Sequence, residues 1–169
     1  MIKNYEELID IKNSCGGIAL AFGCFDIMHY GHINFINHVL EKTTLPLAIG
    51  VLPDVYVRAT KGENRPLNKE NDRLATLDKE GNQPYAFLVA EKGDYNYYKD
   101  KFHLSGKEVL WQYPINALYK IKPTEFYYST DFPLTDSILA VFEELNLKHY
   151  AIEYTKGISS TDLINKLKD

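Results

Sequence analysis

A β-α-β pattern near the start of the chain constrains its fold more than any other feature. Residues 18–23 form a short apolar run that ends in glycine, and residues 45–52 form a second run that is stopped by proline. Continuous apolar runs of this length are typical of buried parallel strands. Between them, Ile33, Ile36 and Leu40 repeat at helical spacing. The pattern predicts two parallel strands joined by a helix of about three turns.

The alternation of strands and helices continues along the chain. Residues 54–66 are polar and are interpreted as a loop, and the amphipathic segment 68–79 predicts a helix with Leu74 and Leu77 facing inward. Further strands are expected at 85–90, 126–129 and 150–154, and further helices at 115–121, 137–145 and 161–168. Right-handed crossovers between such elements predict an α/β fold, a doubly wound parallel sheet in a single domain that spans 1–169.

Residues 91–113 match this alternation least. The segment is charged and rich in tyrosine, and we interpret it as an insertion or as a lid that faces the substrate. Its aromatic side chains are compatible with core packing, a substrate surface or a dimer interface, of which core packing is the default.

Composition and charge limit the classes of function. Of 169 residues, 45% are hydrophobic and 25% are charged, which is typical of a globular domain with a full core. The net charge of −4 disfavours binding to a phosphate backbone, so no nucleic-acid partner is expected. Apolar stretches are far shorter than the roughly 20 residues of a membrane helix, so no membrane span is expected. Two isolated cysteines, Cys15 and Cys24, suit a reducing cytoplasm.

The turn after the first predicted strand, GCFDIMHYGH at 23–32, carries the strongest chemical signal. Ligands of doubly wound sheets bind beyond the carboxyl ends of the strands, and a helix N-terminus offers free N–H groups to a phosphate. His29 and His32 are placed to donate hydrogen bonds to phosphate oxygens, and Gly31 allows close approach of a nucleotide. The alternatives are a core histidine beside a capping histidine, or a zinc pair, for which a third ligand at suitable spacing is missing.

A second segment, Gly157 to Thr161, precedes a run of apolar residues at helical spacing near the C-terminus. Its three consecutive hydroxyl residues exceed what a single helix cap needs, although a capping box alone would explain part of the pattern. A triphosphate, in contrast, requires many hydrogen-bond donors.

Between these segments lie Lys61-Gly62, Arg65-Pro66 and then Arg73 in a predicted helix. Without context, these cations are ordinary solvated surface charges.

Together the segments resemble a known family. The turn 23–32 is similar to the G-x-F-D start and H-x-G-H core of the nucleotidyltransferase superfamily, and 157–164 is similar to the C-terminal motif of cytidylyltransferases. The middle resembles the K-G loop and E-R helix of choline-phosphate, glycerol-phosphate and heptose-phosphate nucleotidyltransferases. Residues 129–133 (STDFP) resemble the acidic stretch after a late strand in cytidylyltransferases. One departure is Tyr154, where these enzymes commonly carry arginine, so either Lys156 replaces the cation or the nucleotide contact differs.

The resemblance implies a Rossmann-like fold and an enzyme that moves CMP from CTP onto a phosphorylated small alcohol or sugar, with release of pyrophosphate. It gives catalytic roles to His29, His32 and Lys61. Mg²⁺ is expected to arrive with the nucleotide, without a metal site made by the protein alone, and the chain is expected to form a homodimer. Contacts to the nucleotide or its phosphates are implied for Gly23, Cys24, Phe25, Asp26, Gly31, Arg65, Arg73, Asp131, Gly157, Ile158, Ser159, Ser160 and Thr161.

Two alternatives stay open at this point. One is an adenylyltransferase of the same superfamily, such as the heptose-phosphate type, whose K-G-x-x-R-P loop this chain shares. The other is a catalytically silent nucleotide-binding protein.

Overall fold

A parallel five-stranded sheet forms the centre of the molecule. The fold is described by a computed structural model that covers residues 1–79, 84–91 and 95–166. The strand order is β3-β2-β1-β4-β5, and each neighbouring pair is parallel. The strands are β1 (Ala19–Gly23), β2 (Leu47–Val51), β3 (Tyr85–Leu88), β4 (Glu125–Ser129) and β5 (Lys148–Ile152).

Helices cover both faces of the sheet, and two separate groups of buried apolar side chains lie between helices and strands. The helices of the described residues are α1 (Tyr5–Cys15), α2 (Tyr30–Lys42), α3 (Asp54–Lys61), α4 (Glu70–Lys79), α5 (Tyr95–Phe102), α6 (Gln112–Ile121), α7 (Asp136–Glu144) and α8 (Ser160–Lys166), with a 3-10 helix at Gly106–Trp111.

This arrangement confirms the predicted doubly wound sheet. The chain runs from β1 outward to β3 and then returns to place β4 on the other side of β1. The strand order therefore reverses between β1 and β4, and a doubly wound sheet binds its ligands at such a reversal. The predicted helix at 68–79 is also confirmed, with Leu74 and Leu77 buried. The final residues of the predicted last helix, 167–169, lie outside the described part of the chain.

The prediction of a polar loop over 54–66 is wrong for its first half, where helix α3 forms. Pro53 precedes the helix, Asp54 lies in its first turn, and Gly62 follows its end with a φ of 105°. Only Val57 is buried among the residues of α3, so the apolar signal is too short to indicate a helix by periodicity.

Helix α1 precedes the first predicted strand and was not expected. Its N-terminus is a capping box, in which Asn4 accepts a hydrogen bond from the Glu7 backbone N–H and the Glu7 carboxylate accepts one from the Asn4 N–H.

The segment 91–113, interpreted as an insertion or a lid, contributes to the core where it is described. Helix α5 and the 3-10 helix bury Tyr98, Phe102, Leu104 and Trp111 in the same apolar group as the sheet. Residues 92–94 lie outside the described part, and the role of a lid stays a prediction. Across the described ranges, no helix is long and apolar enough to cross a membrane.

Candidate active site

A cavity of about 410 Å³ opens at the carboxyl ends of β1 and β4, where the strand order reverses. It brings together segments that are far apart in the sequence: the turn after β1, the end of α3, the loop after β4 and the segment from 153 to 161. The predicted site residues that line it are Gly23, Cys24, Phe25, His29, Gly31, His32, Lys61, Arg65, Asp131, Ser159, Ser160 and Thr161.

His29 and His32 lie at the N-terminus of α2 with their rings stacked, 3.8 Å between centroids at an interplanar angle of 20°. His29 is the N-cap residue, and its carbonyl accepts hydrogen bonds from the N–H groups of His32 and Ile33. Both ring Nδ1 atoms are buried and have no hydrogen-bond partner within the described part of the chain. Buried polar atoms usually have a hydrogen-bond partner, and here both atoms belong to rings that line the cavity.

Both histidines are neutral at neutral pH in the ligand-free protein. Burial lowers the pKa of His32 from 6.5 to about 4, with a smaller lowering from neighbouring His29, while a hydrogen bond with the Ile27 backbone opposes the shift. Burial also lowers the pKa of His29. A neutral imidazole donates one hydrogen bond, and the His32 ring already donates to the Ile27 backbone, so His29 offers a donor as a neutral ring whereas His32 donates to a phosphate only when it gains a second proton.

Gly31 is required by the packing of this turn. A Cβ atom at this position would lie 3.0 Å from the His29 ring and 3.4 Å from Cγ2 of Ile158. Larger side chains would therefore displace the histidine ring or the segment around Ile158.

Lys61 and Arg65 carry positive charge into the cavity in different ways. Lys61, the last residue of α3, is exposed, and its ammonium has no hydrogen bond or ion pair to any described residue. The Arg65 guanidinium is anchored, since Nε donates to Oδ2 of Asp26 at 2.6 Å. Lys61 is therefore the freer of the two cations.

Asp26, a predicted nucleotide contact, lies outside the cavity lining and is only 1% exposed. Its carboxylate accepts hydrogen bonds from Arg65 Nε and from the backbone N–H groups of Leu67 and Asn68. The Asn68 amide donates in turn to the Asp26 carbonyl. The structure therefore joins Asp26 to the loop after α3 rather than presenting it to a ligand.

Arg73, a predicted phosphate or nucleotide contact, is also 1% exposed and outside the cavity lining. Its guanidinium donates to the carbonyls of Cys24 and Asn68 and to Oδ1 of Asp54 at 2.8 Å. With its donors engaged in this way, Arg73 links the turn after β1 to the first residue of α3.

The C-terminal segment is hydrogen-bonded to the turn after β1. Ser160 Oγ donates to the Ile27 carbonyl at 3.3 Å, while Gly157 and Ile158 lie outside the cavity lining. Tyr154, at the position where arginine is common, donates its hydroxyl to the Ile158 carbonyl at 3.3 Å. Lys156 is exposed and does not line the cavity, so it does not supply the missing cation there.

Several further lining residues were not among the predicted site residues, although Ser129 and Phe132 lie in the acidic stretch 129–133 and Tyr154 is the position where arginine is common. Most of those named below are aromatic, and they come from helices α2 and α3, strands β1 and β4, the 3-10 helix and the loops after β4 and β5. The additional lining residues that carry aromatic, hydroxyl or carboxylate groups are Phe22, Phe35, Tyr56, Thr60, Trp111, Phe126, Tyr128, Ser129, Phe132, Glu153, Tyr154 and Thr155.

The amino-acid sequence of this chain is similar to those of known proteins. The sequence model of the family described as "Cytidylyltransferase-like" matches residues 20–166. The bifunctional protein HldE of Campylobacter concisus is 29% identical over 171 residues, covering 99% of this chain and 31% of the relative. HldE of Nitratiruptor sp. is 33% identical over 107 residues, covering 55% of this chain and 23% of the relative. This chain thus spans about a third of the length of the first of these relatives.

Solved structures show the same fold at low identity. A lipopolysaccharide core biosynthesis protein from Thermoplasma volcanium has a TM-score of 0.60 at 20% identity, covering 83% of this chain and 98% of that protein. A pantothenate synthetase from Thermus thermophilus has a TM-score of 0.63 at 10% identity, covering 96% of this chain and 67% of that protein.

Proposed function

Because this chain belongs to the cytidylyltransferase-like family of nucleotidyltransferases, we propose that its cavity transfers a nucleotidyl group from a nucleoside triphosphate to a phosphorylated acceptor. One observation carries the proposal: the stacked His29 and His32, the free Lys61 and the hydroxyl segment 159–161 meet around one cavity. The two buried histidine nitrogens without a partner among the described residues call for an explanation, and a phosphate ligand in this cavity supplies one.

In the proposed reaction, an oxygen of the acceptor phosphate attacks the α-phosphorus of the nucleotide in line with the leaving group. A new P–O bond forms, the bond between the α-phosphorus and the bridging oxygen breaks, and pyrophosphate leaves with the electron pair. Lys61 reaches the reacting phosphates and neutralises their charge. His29 and His32 donate hydrogen bonds to the phosphate oxygens, and these strengthen as charge develops in the transition state. Catalysis then consists of positioning and charge stabilisation.

Mg²⁺ accompanies the nucleotide in this proposal and neutralises charge on its phosphates. No group of three or more His, Cys, Asp or Glu side chains suited to a metal occurs among the described residues. We expect the ion to be bound chiefly by phosphate oxygens and water, with the carboxylate of Asp131 available in the cavity lining.

For the donor and acceptor, the relatives favour an adenylyltransferase acting on a phosphorylated sugar over transfer from CTP. Bifunctional HldE proteins match nearly the whole of this chain, and the resemblance includes the heptose-phosphate type with its K-G-x-x-R-P loop. Tyr154 supports the same choice, because its hydroxyl is bound to the protein backbone and supplies no cation where cytidylyltransferases commonly carry arginine. CTP with a phosphorylated alcohol is the second candidate, supported by the family match and by the hydroxyl segment.

The test is pyrophosphate release with ATP or CTP, each combined with a heptose phosphate, a hexose phosphate or glycerol phosphate, in the presence of Mg²⁺. We expect turnover with ATP and a sugar phosphate. Turnover with CTP alone would select the second candidate. Absence of turnover together with nucleotide binding would favour a silent nucleotide-binding protein. A homodimer and a cytoplasmic location stay predictions.

A further inference from the structure

Three aromatic residues form one side of the cavity, and we name them the aromatic wall: Trp111, Tyr128 and Phe132. The rings of Trp111 and Phe132 meet edge to face, with 5.0 Å between centroids at 78°, and the centroids of Phe132 and Tyr128 are 5.6 Å apart. Trp111 is 7% exposed, so the core holds its ring in place. Because these rings pack against one another, the wall is preformed in the ligand-free protein.

The aromatic wall and the pair of histidines, His29 and His32, lie on opposite faces of the sheet. The wall residues pack with the apolar group that contains Phe126 and Val57. Helix α2, which begins at the histidines, packs instead with the group on the other face through Ile36 and Val39. The cavity is therefore divided into a histidine side and an aromatic side.

This division matters for the reaction proposed above, on which the inference rests. In-line transfer requires the acceptor to approach the α-phosphorus from the side opposite the leaving pyrophosphate. If the triphosphate is bound on the histidine side, the aromatic side is where the acceptor fits. Lys61 lines the cavity at the end of α3, and the buried Val57 of that helix packs with the aromatic side.

The charged side chains of the cavity lining limit the kind of acceptor that the aromatic side can bind. Among the described residues that line the cavity, the lysine and arginine side chains are Lys61 and Arg65, and Arg65 is already paired with Asp26. The lining also contains the carboxylates of Asp131 and Glu153. Because Lys61 meets the reacting phosphates in the proposed reaction, a second phosphate or a carboxylate on the acceptor would have no further unpaired cation to meet.

We propose that the aromatic wall is the acceptor subsite and that it selects a ring-shaped acceptor with one phosphate, whose apolar C–H face packs against Trp111 and Phe132. Pockets of this kind obtain binding energy from apolar contact and orientation from a few polar groups. An open-chain polyol phosphate presents no flat apolar face and gains less from the same wall.

Trp111 is the single tryptophan of the chain, so its fluorescence reports on the wall without turnover. The probes are a hexose phosphate, glycerol phosphate, phosphocholine, inorganic phosphate and a non-hydrolysable ATP analogue. We expect the hexose phosphate to produce the largest saturable change in emission. The proposal would be overturned if no acceptor changes the emission, or if glycerol phosphate or phosphocholine changes it more than the hexose phosphate does. A response confined to the ATP analogue would also overturn it.

Kinetics test the same wall with matched variants. Trp111→Leu and Phe132→Leu each remove a ring face but keep apolar volume, and we expect the KM for the sugar phosphate to rise roughly tenfold while the KM for the nucleotide is unchanged. Phe142→Leu is the control, because Phe142 belongs to the same apolar group, 5.3 Å from Phe126, but does not line the cavity. Phe132→Leu keeps the test valid if Trp111→Leu fails to fold.

The two proposals fail in different ways. Loss of pyrophosphate release with every donor and acceptor would contradict the proposed function, whereas the fluorescence titration still decides whether the wall binds a sugar phosphate. Normal turnover with an unchanged KM for the sugar phosphate in both leucine variants would contradict the aromatic wall as the acceptor subsite, but not the proposed function.

Discussion

Lys61 and Arg73 illustrate two different uses of positive charge in one stretch of sequence. Both lie between the two motifs, in segments that look equally polar, yet Lys61 is exposed and unpaired while Arg73 is 1% exposed and fully engaged. Arg73 joins the turn after β1 to Asp54, the first residue of the helix that ends at Lys61. We therefore infer that Arg73 positions the site and that Lys61 acts in it.

The same contrast separates Asp26 from the two histidines. Asp26 is satisfied by Arg65 and by two backbone N–H groups, whereas buried Nδ1 atoms of His29 and His32 have no partner in the described ranges. Residues of a single motif thus differ in their bonding, and we infer that Asp26 holds the turn while the histidines are left to bind a ligand. Mutations should separate the two groups by their effects on stability and on turnover.

The largest expected effect is on stability, from Arg73→Ala. Removing the guanidinium leaves Asp54 and two carbonyls without their donor, and breaking a buried ion pair costs about 3–5 kcal/mol of unfolding free energy. Urea denaturation measures the change. Lys69→Ala is the control, since its side chain is 71% exposed and lies 4.0 Å from the other oxygen of Asp54. A loss below about 1 kcal/mol for Arg73→Ala would remove the positioning role.

His32→Ala should lower kcat by about 100-fold, as is typical for loss of one preorganised donor to a developing charge. His38→Ala provides the matched control, because His38 is exposed on the same helix and hydrogen-bonds the Asn34 carbonyl. Steady-state kinetics, with circular dichroism to verify folding, make the comparison. Near-normal turnover in a folded His32→Ala protein would refute the assignment.

Stability should fall as the pH falls from about 6.5 to about 4. The pKa of His32 is lowered to about 4 in the folded protein, so the unfolded chain binds its proton first and protonation favours unfolding across that window. The contribution is on the order of 2 kcal/mol, fully present above pH 6.5. Denaturation at several pH values measures it, with His32→Gln expected to reduce the slope. If stability depends on pH in the same way in that variant, a group other than His32 is responsible for the dependence.

The smallest expected effect distinguishes the nucleotides. If the adenylyl assignment is right, ATP with Mg²⁺ raises Tm more than CTP does, by about 2–4 °C for a tenfold difference in affinity. Thermal denaturation at equal nucleotide concentrations measures the shift. A larger shift with CTP would return the donor to the cytidylyl assignment while leaving the roles of His32 and Lys61 intact.

The sequence was sufficient for the sheet and for the polar and charged segments of the cavity, but not for its aromatic lining. Apolar runs identify β1 and β2, and the spacing of His29, Gly31 and His32 identifies the turn that the structure places at the reversal point of the sheet. Each of these features involves residues that are close together in the sequence, so a short sequence pattern is enough to predict it.

Helices α1, α3 and α5 were missed, although the sequence contained signals for the first two. Asn4 and Glu7 have the spacing of a capping box, and α3 begins after Pro53 and ends before Gly62. Each of these two helices buries a single residue, and α3 has only eight residues, so neither presents a long apolar repeat.

Burial of Arg73 and the aromatic wall could not be predicted from the sequence, because both depend on long-range contacts. Arg73 finds its partners 49 and 19 positions away, at Cys24 and Asp54. Trp111 meets Phe132 only after a helix and a strand have intervened. No local pattern distinguishes a buried arginine from a solvated one before those partners are assembled.

Lys61→Ala tests the central claim most directly, measured by pyrophosphate release and by urea denaturation of the same preparation. The ammonium of Lys61 has no bonds to any described residue, so we predict an unfolding free energy within about 0.5 kcal/mol of the unmodified protein and a fall in turnover of about 100-fold or more. Lys69→Ala should change neither quantity appreciably. A Lys61→Ala protein that loses stability but keeps its turnover would contradict the account, because Lys61 would then hold the structure rather than act on the phosphates.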